Sequence, residues 1–175
     1  MIKLIVSFLA LGLTVISCTR TERSTIFNND LLQYDTSTIA ILTYDTSFYI
    51  FEDGAKAQLT VEDITKIDLQ MSSIIAEINE DQARMFDNKE LLFMTDDLRK
   101  EDILVKLSDY KRQYVTVLRD NGDKEVYVNC FNKRIDKDTW RKKLIDGLGG
   151  GTNFFSVYIN VTRNNYYGLS VNSPM

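Results

Sequence analysis

Apolar positions along the chain fall into one long helical stripe and several short runs. Ile64, Ile67, Met71, Ile74, Ile75, Ile78 and Met85 recur at three- and four-residue spacing, the pattern of an amphipathic helix with one face on a core. Thr60 precedes this stripe as a natural N-cap, with Asp63 placed to complete a capping box and Leu59 to staple onto Ile64. Glu62 and Asp63 suit the positive end of the helix dipole. The spacing predicts a helix from Val61 to about Phe86. Its opposite face is charged, which suits a helix laid across a sheet rather than one inside a bundle.

The shorter runs read as strands. Ile39 to Leu42 and Phe48 to Phe51 predict a hairpin with Asp45-Thr46 near its turn. Tyr-Asp-Thr-Ser occurs twice, at Tyr34 and Tyr44, which reads as turn chemistry rather than a repeat array. Asn121-Gly122 suits a two-residue type I′ turn, whose central positions both need positive φ. Pairing about it sets Val117 opposite Val126, Val115 opposite Val128 and Gln113 opposite Cys130 on one face, with Thr116 and Tyr127 on the other. Cys130 then points inward, a small buried hydrophobe. A last hairpin with a three-residue loop, Arg163 to Asn165, opposes Val161 to Tyr167, Ile159 to Leu169 and Val157 to Val171.

Between these segments, Asp87 to Tyr110 reads two ways. One is a short helix with Leu98, Ile103, Leu104 and Leu107 inward; the other is a strand from Ile103 to Leu107. Thr139 to Asp146 reads as a short helix ending at glycine. Gly147, Gly149, Gly150 and Gly151 lack the Gly-Lys-Ser/Thr that opens a helix in a phosphate loop, so they read as a connector. The order predicts an α+β fold, an antiparallel sheet of about six strands with one long helix packed on one face. The single proline, Pro174, leaves no Pro-rich linker, so residues 35–175 form one domain. In outline this order is similar to helix-plus-curved-sheet modules of the cystatin or PepSY type, a likeness of architecture alone.

The chain opens with Lys3 and an apolar run from Leu4 to Ile16. That run falls short of the roughly 20 residues a membrane-spanning helix needs and fits the n- and h-regions of an export signal. Val15-Ile16-Ser17-Cys18 resembles the lipobox of bacterial lipoproteins, with an aliphatic residue at −3, a small residue at −1 and then the obligatory cysteine. The resemblance implies that residues 1–17 are removed, that the Cys18 thiol carries a diacylglycerol, and that the new amine is acylated. One acyl chain anchors marginally and several anchor stably. Thr19, standing where an aspartate favours inner-membrane retention, implies the outer membrane. Thr19 to Arg23 is not an acidic surface-export run, so the expected face is periplasmic. Residues 18–34 then form the acylated cysteine and a polar tether, with the membrane as one partner.

Composition narrows the chemistry. The formal charge is −4 and no basic block occurs; Arg141-Lys142-Lys143 is offset by Asp136, Asp138 and Asp146, which argues against nucleic acid. Histidine is absent, which removes Ser-His-Asp and Cys-His catalysis and most zinc sites. Once Cys18 is acylated, Cys130 has no cysteine to pair with. The carboxylate pairs Glu62/Asp63, Glu80/Asp81, Asp96/Asp97 and Glu101/Asp102 point apart on their elements rather than into one cleft. Asp120-Asn121-Gly122-Asp123 lacks the spacing of a calcium loop, and Asn160-Val161-Thr162 is a chance glycosylation match. No catalytic residue, metal site or cofactor is therefore assigned.

Aromatic residues crowd the expected hairpins: Tyr114, Tyr127, Phe131, Phe154, Phe155, Tyr158, Tyr166 and Tyr167. Core filling is the first explanation, and a binding surface on the outer face the second. The functional expectation is a non-catalytic lipoprotein that binds a protein partner in the envelope through its sheet or hairpins. The alternatives are a carboxylate-based enzyme, or a ligand-binding module, acting on an envelope glycan or lipid.

Overall fold

The computed structural model describes residues 34–90, 99–132, 139–147 and 149–172. The signal segment, Cys18 and its lipobox, Leu98 and the Asp96/Asp97 pair lie outside the described residues. Among the described residues, no helix is long and apolar enough to cross a membrane.

The long helix, α1, runs Val61–Asp87, one residue beyond the expected end. Its capping box is complete: the Asp63 amide donates to Thr60 Oγ1 at 3.1 Å and the Thr60 amide donates to Asp63 Oδ2 at 2.9 Å. Ile64, Ile67, Met71, Ile74 and Ile78 are buried, while Ile75 and Met85 are half-buried at the margins of the stripe. Each fully buried side chain of this kind contributes about 1.5–3 kcal/mol relative to exposure. Leu59 is buried in the same cluster as Ile64, as the staple requires.

Six strands form one sheet: β1 (Ile39–Leu42), β2 (Ala55–Lys56), β3 (Lys111–Leu118), β4 (Lys124–Phe131), β5 (Phe154–Asn160) and β6 (Asn165–Val171). The order is β1-β3-β4-β5-β6, with β2 also pairing to β3. The sheet is mostly antiparallel, but β1 pairs with β3 in parallel, Ile39 beside Arg112 through Leu42 beside Val115. This corrects the fully antiparallel expectation. A parallel pair needs a long crossover, and α1 lies between β1 and β3 in the chain.

The expected hairpin of Ile39–Leu42 with Phe48–Phe51 does not form. Thr46–Phe48 is a 3-10 turn, and the second strand is Ala55–Lys56 instead. Ile39-Ala40-Ile41-Leu42 is apolar at every position because both faces of β1 are covered, the mark of a doubly packed strand. Ile39 faces the α1 side, while Leu42 joins Tyr44 and Phe51 on the other.

Both later hairpins differ in register from expectation. Val117 pairs with Glu125, Val115 with Tyr127, Gln113 with Asn129 and Arg112 with Cys130, a shift of one residue. Gly122 (φ +86°) has positive φ in this turn and Asn121 does not, so the type I′ condition fails. The Gly122 amide instead donates to the Arg119 carbonyl at 2.9 Å and the Arg119 amide to the Asp123 carbonyl at 2.8 Å, a three-residue loop ending in a left-handed glycine. One residue of slip exchanges faces. Tyr114, Val126, Val128 and Cys130 therefore lie under α1, and Val115 and Val117 lie on the opposite face. Thr116 accordingly sits on the helix side, and only Tyr127 keeps the outer face assigned to it.

In the last hairpin, Asn160 pairs with Asn165 and Tyr158 with Tyr167, and a bulge separates these from Ser156 with Ser170. The loop is thus one residue longer than expected, and the Arg163 amide closes it by donating to Asn160 Oδ1 at 2.8 Å. Gly168, at φ +61°, stands at the bulge against the Tyr158 ring, 3.0 Å from where a Cβ would sit. Strand β6 ends the sheet and carries neither a charged residue nor a proline.

Residues Lys100–Ile103 form a short helix, α2, and Leu107–Asp109 a 3-10 turn, so no strand occupies 103–107. Ile103 is buried, with Leu104 and Leu107 half-buried. Thr139 to Asp146 contains one 3-10 turn, Thr139–Arg141, rather than a helix through Asp146. Gly147 has no room for a side chain against the Phe154 ring, and Asn172 Nδ2 donates to the carbonyls of Gly147 and Gly149.

Candidate functional site

The sheet has helix on one face and irregular chain on the other. Loop 43–54 and segment 139–147 cover the helix-free face. Gln113, fully buried, fixes the second of these. Its Nε2 donates to the carbonyls of Trp140 and, at 2.7 Å, Lys143; its Oε1 accepts from the Ile145 amide at 2.9 Å and from Asn129 Nδ2 at 3.0 Å. Sequence reasoning paired Gln113 with Cys130 and missed this role. The available signal was a polar residue, Gln113, in an otherwise apolar strand.

Loop 43–54 is built by the second Tyr-Asp-Thr-Ser. Asp45 Oδ1 accepts from the Ser47 amide at 2.8 Å and starts the 3-10 turn. Asp35 does the same in the first copy, accepting from the Ser37 amide at 2.9 Å. Hydrogen bonds from Ser37 and Thr38 hold the Asp35 carboxyl down to about 2. Both copies are turn devices, as expected.

The turn closes on Tyr49, which adopts a left-handed backbone at φ 54° and exposes 91% of its surface. Beneath it the loop lies on an aromatic floor. Tyr44 meets Phe51 edge-to-face at 5.8 Å, and Phe51 meets Tyr158 likewise at 5.5 Å. Tyr158 donates through its hydroxyl to the Ile50 carbonyl at 2.8 Å and stacks on Tyr167 at 5.2 Å. Between Tyr49 and this floor runs an open groove of about 500 Å³, with Glu52 on its wall.

Beside the floor lies a charged network. Arg119 Nε sits 2.9 Å from Asp53 and 3.5 Å from Glu125, with its guanidinium 5.6 Å from the Phe51 ring centre. Tyr167 donates to Glu125 Oε2 at 2.8 Å; burial and this carboxylate raise its phenol well above the usual range. Asn160 Nδ2 bridges Asp123 and Glu125, both buried, and Arg163 pairs with Asp123 at 2.7 Å. Burial works against the Asp123 charge, yet Asn160 and Arg163 hold its carboxyl below the ordinary range. These two acids share Asn160, but each is committed to an arginine, and neither lines the groove.

Of the acid pairs singled out in the sequence, the three within the described residues do not converge. Glu62 pairs with Lys66, Asp63 with Lys124, Asp81 with Arg84 and Asp102 with Arg99, while Glu80 and Glu101 are exposed. Among the described residues no cluster of acids and cysteine could hold a metal. Of the aromatics, Tyr114, Phe131, Phe154 and Phe155 are core, Tyr127, Tyr158 and Tyr166 are half-buried, and Tyr167 is exposed. Tyr49 was hidden from sequence reasoning because its run reads as a strand.

No protein-family model, curated protein or solved structure matches the chain.

Proposed function

We propose that this chain is a lipid-anchored envelope protein, held through Cys18 in the outer membrane facing the periplasm. It performs no catalysis and binds a protein partner through the helix-free side of its sheet. The anchor rests on the lipobox resemblance. The binding role rests on Tyr49. A left-handed residue with a side chain costs about 1–2 kcal/mol, and a side chain that stays in water returns nothing to the fold. Such outliers gather at recognition sites, and amphipathic tyrosines are favoured at interfaces.

Two measurements test the reading. Palmitate should label wild-type chain and not Cys18→Ala. A photo-crosslinking amino acid at position 49 should trap a discrete envelope protein in cells. The same group at Leu69, exposed on the outer side of α1, should not. Absence of label, or identical adducts from both positions, would overturn the corresponding half.

A further inference from the structure

We propose that the groove beneath Tyr49 takes a cationic side chain, lysine or arginine, presented by the partner; this rests on the partner reading above. Three observations on the groove lead there. Tyr49 and the half-buried Tyr158 line it, with the largely buried Tyr44 and Phe51 beside Glu52, and no lysine or arginine does. Aromatic faces are negative and attract cations within about 6 Å. This molecule uses that attraction already: Arg119 faces Phe51 from the network side, and Lys111 and Arg141 lie 4.9 and 4.4 Å from the Trp140 ring centre.

The second observation is a charge imbalance. Asp53, next in sequence, is taken by Arg119. Asp45 spends its carboxylate on the Ser47 amide. Glu52 lines the groove, is exposed, and has no ion-pair partner among the described residues. Of the two cations nearby, Arg119 is already offset by Asp53 and Glu125, and Lys56 lines the adjoining pocket beside Asp45. An anionic ligand would meet both the free carboxylate and the Tyr49 and Tyr158 rings, while a neutral ligand would leave Glu52 unanswered. A cation satisfies both.

The third is the conformation of Tyr49. Its left-handed backbone holds the ring at the rim rather than packed on the floor, which leaves the groove open to an incoming side chain. A long, thin lysine or arginine stem suits an open groove of this kind, its methylenes lying along the rings and its head at the carboxylate.

The test uses the full chain in a neutral polyoxyethylene detergent and three probes. They are an acetylated, amidated pentapeptide with two lysines, the same peptide with two glutamates, and a hexamer of N-acetylglucosamine. Binding is read from amide NMR shifts. The lysine peptide should shift residues 44–52, with an affinity that falls as salt is raised. Glu52→Gln and Tyr49→Leu should each weaken it by about two- to fivefold, with thermal unfolding unchanged in Glu52→Gln. Equal binding of the glutamate peptide, binding of the sugar in place of the lysine peptide, or indifference to Glu52→Gln would overturn the inference. If the group at position 49 traps a protein while the lysine peptide shifts nothing, the partner reading stands and the cation falls. If the lysine peptide binds and nothing is trapped, the partner reading falls instead.

Discussion

Cys130 illustrates how far a single residue can be read without its neighbours. Its burial follows from its place in an apolar strand and holds even though the strand register shifts. The side chain is fully enclosed under α1, and that burial pushes its thiol well above the usual range. Thiolate is the reactive form, so iodoacetamide at pH 8 should leave Cys130 untouched in the folded protein and modify it rapidly in denaturant. Modification at equal rates in both would place the thiol at the surface. Tyr110 sits in similar surroundings: burial raises its phenol to about 12, and it donates to the Thr152 carbonyl at 2.7 Å. Residues whose role is local, such as Asp45 and Thr60, are legible because their partners lie two or three positions away. Gln113 and Tyr49 are not, because their roles depend on chain that arrives from elsewhere.

Among the elements, α1 is the most legible, since stripe, cap and staple agree. Its first turn also carries a charge-dependent contact: Lys124 reaches Asp63 at 2.7 Å from β4. Burial opposes the Asp63 charge, but hydrogen bonds from Lys124 and from Thr60 outweigh it, and its carboxyl stays below the ordinary range. A depressed carboxyl stabilises the fold above its unfolded pKa of about 4, and that contribution is lost as pH falls through the folded value. Asp63→Asn should therefore lower the urea midpoint at pH 7, and the gap to wild type should close below pH 4. Thr60→Ala should cost about 1 kcal/mol in that same titration, over the whole pH range. The strand registers were less legible for an identifiable reason. Matching valine to valine across Asn121-Gly122 assumes that one face is dry and the other wet. Val115 and Val117 are instead buried by Tyr44, Phe51 and Leu144, which come from distant parts of the chain. With both faces covered, hydrophobic matching no longer selects the register, and the turn decides it.

At the scale of the whole molecule, the described residues form three layers: α1, the sheet, and a layer of irregular chain that includes the candidate groove. The outer layer lacks the backbone ladder that holds the other two, so it depends on side chains reaching up from the strands. Gln113 is the main one. Gln113→Leu keeps the bulk but strands the Trp140 and Lys143 carbonyls and the Ile145 amide, each worth about 1–3 kcal/mol when buried and unpaired. Hydrogen exchange should then accelerate at Ile145 and its neighbours while β4 and β5 stay protected. Uniform acceleration across the sheet would show that the layer is not separable. The rim at the other end of the sheet is governed differently. Among the described residues no strand pairs with the outer edge of β6, which is without the lysines or prolines that commonly deter such pairing. The single irregularity at Gly168 breaks the even spacing that a foreign strand would have to match. Steric mismatch, not electrostatic repulsion, is therefore the feature of β6 that opposes strand addition along this side.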